Sequence, residues 1–296
     1  MKTRTQIALL AVGLSTAATA LAQGPYLQGH YIPGVEGIQA ATLPPAGLYV
    51  RDYNYTYWAN RFNMPDGSQA PGDFNAVVYA NVPRVVWMTG KKIFGADFGM
   101  DALIPLVYKN IEGVGNHFSA GDACFEPVLL SWHLNKFDIA AGYAFYAPTA
   151  AAGTVAAGQL DAGSGFWTQM ITFGGTWYAD AKKTWSISAL NRYEFNSIQR
   201  NTGLRAGQVY TLEYGVAKAL TPTLKFGAAG YYQTQTTLDS GDGASTARDS
   251  VAAIGPEITY DFPKIMLFTS LRYEREFFAN DRPQGNVVTL TITKRF

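Results

Sequence analysis

From Gly47 to its end the sequence alternates between apolar and polar or small residues with a period of two. Successive side chains of a strand point to opposite faces, so each such segment has one greasy face and one small or polar face. The third segment is the clearest. Phe94, Ala96, Phe98, Met100, Ala102, Ile104 and Leu106 share one parity, and Gly95, Asp97, Gly99 and Asp101 share the other. Further along, Trp185, Ile187, Ala189, Tyr193 and Phe195 oppose Ser186, Ser188, Arg192 and Glu194, and Leu267, Leu271 and Tyr273 oppose Ser270, Arg272 and Glu274. A soluble β-sandwich produces the same alternation, so period alone does not choose the architecture.

The connections do. Brief turns are expected at Thr89-Lys92, His133-Lys136, Ala179-Thr184, Leu220-Thr223 and Asp261-Lys264. Between them lie long connections at Asn60-Asp73, Tyr108-Asp122, Pro148-Gly165, Asn196-Ala206 and Thr237-Asp249, with a shorter one at Asn280-Gly285. Short turns at one end and long loops at the other mark outer-membrane barrels. Only 15% of residues are charged while 14% are aromatic, so fewer faces are made for water than in a soluble domain. Beyond the first two dozen residues nothing approaches the roughly 18–20 apolar residues of a spanning helix. A closed barrel is the other structure that satisfies its backbone in lipid. The expected fold is therefore all-β, a transmembrane antiparallel β-barrel of about twelve strands over 47–296. An even count returns the carboxyl end to the side where β structure began, and both mature ends are expected in the periplasm.

The amino end has the form of a signal peptide over 1–22: Lys2 and Arg4, an apolar stretch from Ile7 to Ala18, and Ala20-Leu21-Ala22 before cleavage ahead of Gln23. Gln23 in place of Cys argues against a lipoprotein. The predicted destination is the bacterial outer membrane. Residues 23–46 do not alternate and carry eight Gly or Pro residues, the composition of irregular backbone. Two readings are open: a flexible tail, or a short plug in the lumen anchored by Tyr26, Tyr31, Ile32 and Leu43. Irregular backbone survives at membrane depth only inside protein or a wet cavity. The carboxyl end places Phe296 behind Val288, Leu290 and Ile292 on one parity, the pattern read by the outer-membrane assembly machinery, with Lys294 departing from it. Tyr57, Trp58, Trp87, Trp132, Trp167, Trp177, Tyr178 and Trp185 fall near strand ends and suit aromatic girdles in contact with outer-membrane lipid.

Formal net charge is +1, and removal of the leader leaves 21 basic against 22 acidic residues, with no concentrated basic face for nucleic acid. Cys124 is alone, so neither a disulfide nor a thiolate metal cage forms. No cofactor is implied. A hydrolase would need a His beside a Ser or Thr. His117-Phe118-Ser119 and Ser131-Trp132-His133 have the spacing, but His117 is expected in a loop and His133 at a strand end, so no catalytic set is assigned. Asp97, Asp101, Arg192, Glu194, Glu213, Glu257, Arg272, Glu274 and Glu276 fall on the inward parity. They either pair with one another to fix the barrel or line and tune a path. His30, Tyr31 and Pro33 join them as path candidates if residues 23–46 enter the lumen. Tyr49, Tyr53, Tyr55 and Tyr57 of the first strand suit either a stacking surface or a lipid-facing belt.

Gly29-His30-Tyr31-Ile32-Pro33-Gly34 and Leu43-Pro44-Pro45-Ala46-Gly47-Leu48-Tyr49 resemble the opening of the Putative MetA-pathway of phenol degradation family. The likeness continues through Gly121-Asp122, Leu130-Ser131-Trp132-His133, Tyr143-Ala144-Phe145-Tyr146-Ala147-Pro148, Gly165-Phe166-Trp167 and Asn191-Arg192-Tyr193-Glu194-Phe195-Asn196. The resemblance implies an outer-membrane barrel that passes small hydrophobic or aromatic solutes, and it brings no catalytic motif. A structural or surface-interaction barrel and a lipid-modifying enzyme are the alternatives.

Overall fold

The computed structural model describes residues 28–153 and 158–296. The expected leader and its cleavage site lie outside the described residues. Strands β1 (Gly47–Asn63), β2 (Ala76–Ile93), β3 (Ala96–Leu103), β4 (Leu106–Ile111) and β5 (Gly115–Ala120) lead into β6 (Ala123–His133) and β7 (Phe137–Ala147). Then follow β8 (Thr168–Tyr178), β9 (Trp185–Asn196), β10 (Val209–Ala219), β11 (Leu224–Gln235), β12 (Ser250–Phe262), β13 (Leu267–Asn280) and β14 (Arg282–Arg295). Neighbours in sequence pair antiparallel from β6 to β14, β14 pairs with β1, β1 with β2, and β2 with β3, which meets β6 and closes the ring. Closure leaves no stave of the barrel with an unpaired edge in lipid.

The third expected strand is in two pieces. β3 and β4 both pair with β2, on either side of Pro105 and opposite Pro83. Neither proline has an N–H to give the ladder, so the strand breaks there. Counting β3 and β4 as one stave, and leaving aside β5, which pairs with β4 alone beyond the ring, gives the expected twelve. Tyr108-Asp122, expected as a loop, instead extends the ladder: β4 turns back into β5 with Lys109 opposite His117. His117 is thus on a strand, with Nε2 at 3.3 Å from Asp161.

Burial shows which face meets lipid. On β8, Thr168, Met170, Thr172, Thr176 and Tyr178 are buried, while Ile171, Phe173 and Trp177 on the other parity are 53%, 59% and 41% exposed. Polar residues inside and apolar residues outside is the reverse of a water-soluble protein, and it suits a hydrocarbon surround. Trp58, Trp87, Trp167, Trp177 and Trp185 are exposed as girdle residues should be. Tyr57 and Tyr178 are not: their hydroxyls turn inward and donate to Glu276 and Asp138. Tyr49, Tyr53 and Tyr55 are buried in the lumen as well, which excludes the lipid-facing belt for the first strand.

Turn chemistry explains the short end. Phe94 and Gly95 both take positive φ between β2 and β3, as a tight hairpin turn requires. Between β8 and β9 the Asp180 carboxylate accepts from the Lys182, Thr184 and Trp185 amides. Those hydrogen bonds hold its carboxyl below the usual carboxylate range.

Candidate functional site

Residues 28–46 run through the bore in contact with inward-facing side chains of the wall. Residues 28–30 lie at the long-loop end, and the segment descends to the short-turn end, where β1 begins. The reason is visible in the contacts, which fall in order along the strands. His30 meets Asp122 and Thr168 beside the long loops, with Nε2 at 2.9 Å from Oδ2 and Nδ1 at 2.7 Å from Oγ1. Its ring stacks on Tyr146 and meets the edge of Phe166. At the other end the Thr42 hydroxyl reaches Asp138 and Thr176, close to the short turns.

Between these points the segment spends its backbone N–H groups on carboxylates of the wall. Glu194 accepts from the His30 and Tyr31 amides at 2.8 and 3.0 Å. Glu213 accepts from the Gly34 and Glu36 amides at 3.1 and 3.0 Å, from the Tyr31 hydroxyl, and from Arg192. Glu257 accepts from the Ile38 amide at 2.8 Å. The Gly34 carbonyl accepts from Arg272 and Thr289. A chain without secondary structure must find partners for these groups somewhere, and inward carboxylates supply them. Room for the chain comes from the wall: Gly215 faces Ile38, and a Cβ there would stand 2.6 Å from the Ile38 Cα. Gly34 itself turns with φ +84°.

The path candidates are thus mostly brought together. Tyr31 and Pro33 are buried, and the Arg192 guanidinium lies 4.2 Å over the Tyr31 ring. Arg192, Glu194, Glu213, Glu257, Arg272 and Glu274 all touch the segment or one another, and Arg272 pairs with Glu257 at 3.2 Å and Glu274 at 3.0 Å. Asp101 joins through Arg84 at 2.5 Å. Asp97 stands apart, tied to Lys92 at the β2–β3 turn. The residues not foreseen are Glu36, Arg51, Arg84, Glu126 and Asp122. Glu36 on the segment meets Arg51 at 3.2 Å, Arg84 at 3.1 Å and Arg192 at 3.6 Å. Arg84 also binds Glu126. Arg51 shares the inward parity of Tyr49 and Tyr53, so its position was readable. Glu36 lies in a stretch with no period, so its position was not.

Beside the second half of the segment, from Val35 to Pro45, the bore holds a cavity of about 490 Å³ toward the short-turn end. Leu43, Val86, Leu129, Leu190 and Phe268 give it apolar walls, and Glu36, Arg51 and Arg84 reach its edge.

Two imidazole relays have the composition of a catalytic set. Ser131 Oγ lies 3.1 Å from His133 Nε2, whose Nδ1 lies 3.1 Å from Asp138; Thr168, His30 and Asp122 form the second. In both the hydroxyl residue has no exposed surface, Ser131 and Thr168 being 0% exposed. A nucleophile must reach its substrate, so these relays tie the wall and the segment together. Among the described residues no group of three or more His, Cys, Asp or Glu side chains is arranged to hold a metal.

Asp122 is the keystone at the long-loop end. It accepts from the Ala150 and Ser164 amides and from His30. Burial pushes its carboxyl up, but the hydrogen bonds from His30, Ser164 and Ala150 outweigh this and hold it below the usual carboxylate range. A lowered carboxyl contributes order that is complete above its unfolded value of about 3.9 and is lost as pH falls through the folded value. The 148–167 connection should therefore stay protease-resistant at neutral pH and loosen only under strong acid. Asp122→Ala should make it several-fold more sensitive at pH 7. Equal cleavage rates for variant and parent at pH 7 would show that Asp122 does not hold the loop.

Among solved structures, the chain is similar to the COG4313 outer membrane channel from Pseudomonas putida F1, with 14% identity over 90% of this chain and 100% of that one at a TM-score of 0.77. That agreement fixes the fold. It also aligns with the translocator domain of the autotransporter NalP from Neisseria meningitidis (9% identity, 86% and 90% covered, TM-score 0.49) and with the CymD monoaromatic hydrocarbon channel (9%, 86% and 89%, 0.42). These two share only a general barrel form. No curated protein matches the sequence. A family described as Putative MetA-pathway of phenol degradation matches residues 59–292, nearly the whole barrel. The chain belongs to that family of outer-membrane β-barrels.

Proposed function

We propose that this barrel is a passive outer-membrane channel for small hydrophobic or aromatic compounds. The observation that carries the reading is the content of the bore. It is filled by a segment held through hydrogen bonds and ion pairs, with a largely apolar cavity alongside it. The segment belongs to no strand, so it can shift without breaking the ladders of the wall. A passive route works through weak sites that a solute can enter and leave, and a cavity next to a displaceable segment offers one. A fully closed interior is expected nearer eight strands, and wide water-filled pores at sixteen or more, so twelve suits a narrow route. The name of the Pseudomonas putida relative and the description of the family agree with this reading.

The test is uptake of radiolabelled toluene and phenol by cells lacking other routes, with and without the barrel. Uptake no greater with the barrel than without it, across several aromatics, rejects the channel. The same cells report topology. A protease site inserted in 236–249 should be cut on intact cells, and one in the Asp180–Thr184 turn should not. Cleavage at the turn with the long loop protected would invert the orientation.

A further inference from the structure

The cavity has a chemistry that an apolar route alone does not need. Six guanidinium or ammonium groups and four carboxylates line it, and two of the cations, Arg192 and Arg272, are already paired with Glu213 and Glu274. Arg51 is the group best placed to meet a solute. It lies on the inward face of β1, yet its side chain is 36% exposed, and Glu36 is the one carboxylate it meets among the described residues. Its cross-strand partner is Arg84, so two guanidiniums stand side by side. Like charges in direct opposition repel, and here a carboxylate resolves the conflict: Glu36 gives one oxygen to Arg51 and the other to Arg84.

We propose that this cavity is a binding site for small apolar carboxylates, such as aromatic acids, held by the Arg51 guanidinium in competition with Glu36. The segment's own glutamate shows what the arginine pair accepts. A carboxylate is the group whose geometry a guanidinium edge matches. The remaining walls, Leu43, Val86, Leu129 and Leu190, suit the apolar body of such a solute, and the volume lies within the range of small-molecule sites. A solute carboxylate that takes Arg51 from Glu36 removes one of the contacts that hold the segment, so binding and loosening of the filling are coupled. The inference rests on the channel reading for its purpose, though the site can be tested without it.

The experiment is ligand-observed fluorine NMR on the purified full-length barrel in micelles, with 4-fluorobenzoate and the neutral fluorobenzene as probes and protein-free micelles as the baseline. Saturable binding of 4-fluorobenzoate, displaced by benzoate, is expected, with the neutral fluorobenzene bound more weakly. Arg51→Met should weaken it about tenfold or more, as loss of a charge-assisted hydrogen bond requires. Glu36→Gln should strengthen it several-fold by removing the competitor. Heat-modifiable gel mobility shows whether each variant is folded, and the opposite signs of the two effects keep the test informative if one variant fails. Binding of 4-fluorobenzoate no greater than to micelles overturns the proposal, as does binding that neither substitution changes. If toluene uptake survives such a result, the channel reading stands without this site. If the site binds benzoate and no aromatic is taken up, the site stands and the channel reading falls.

Discussion

Deletion of Gly29–Gly34 is expected to leave the barrel folded and to raise its single-channel conductance several-fold. The six residues belong to no strand; the first barrel strand begins at Gly47. What they contribute is filling. With them go the two amides that Glu194 accepts, the Tyr31 hydroxyl and Gly34 amide that Glu213 accepts, and the Gly34 carbonyl that takes Arg272 and Thr289. A dry bore would punish the loss, since a buried carboxylate without partners costs several kcal/mol, on the order of 3–5. The emptied bore is not dry: water replaces the segment and solvates the released groups. The ring of ladders that closes the barrel is unaffected. Heat-modifiable mobility should therefore persist while conductance and the uptake of small aromatics both rise. Unchanged conductance in a folded deletion variant would show that the barrier to passage lies elsewhere, in the 148–167 or 236–249 loops.

Most of this architecture is legible in the sequence because a barrel strand writes its orientation into every second residue. Thr168, Met170, Thr172 and Thr176 of β8 were bound to share a face, and so were Arg192 and Glu194 of β9, and Arg272, Glu274 and Glu276 of β13. Closure then turns those faces inward, and the charges meet because twelve staves surround one narrow bore. What the period could not show falls into two kinds. Where a proline interrupts the ladder, as Pro105 does, the alternation runs across the break only to Leu106, so the start of β4 reads as the end of the third strand and the rest of β4 with β5 reads as loop. Where there is no period, as in residues 28–46, composition shows irregular backbone but not its path. The direction of threading follows from which wall residues pair with which segment residues. His30 with Asp122 and Thr42 with Asp138 are contacts 92 and 96 residues apart in sequence. No local pattern encodes them. The girdle aromatics divide in the same way. Trp177 and Tyr178 are neighbours near the end of one strand, and parity sends one ring to lipid and the other to Asp138.

Arg272→Met is expected to destabilise the barrel more than any single change at the segment. Arg272 is among the largest fully buried side chains, 2% exposed, and it stands opposite Glu257 in the β12–β13 register. It binds Glu257 at 3.2 Å and Glu274 at 3.0 Å, and it donates to the Gly34 carbonyl. Methionine keeps most of the volume but leaves two carboxylates facing each other without a cation. Removing one partner from a buried ion cluster costs about 3–5 kcal/mol, because the remaining charges stay desolvated. The loss should appear as a lower urea midpoint for the folded, fast-migrating form. The triple variant Arg272→Met, Glu257→Gln, Glu274→Gln separates charge from packing. Replacing a whole buried cluster by neutral groups is often neutral or stabilising, so this variant should recover most of the midpoint lost by Arg272→Met alone. It should not recover the grip on the segment. The glutamine at 257 still has an oxygen for the Ile38 amide, but the Gly34 carbonyl has lost the guanidinium. A restored midpoint with raised conductance would show that the cluster serves the segment more than the wall. A midpoint as low as in the single variant would mean that methionine packs badly at this position, and that unpaired charge is not what destabilises it.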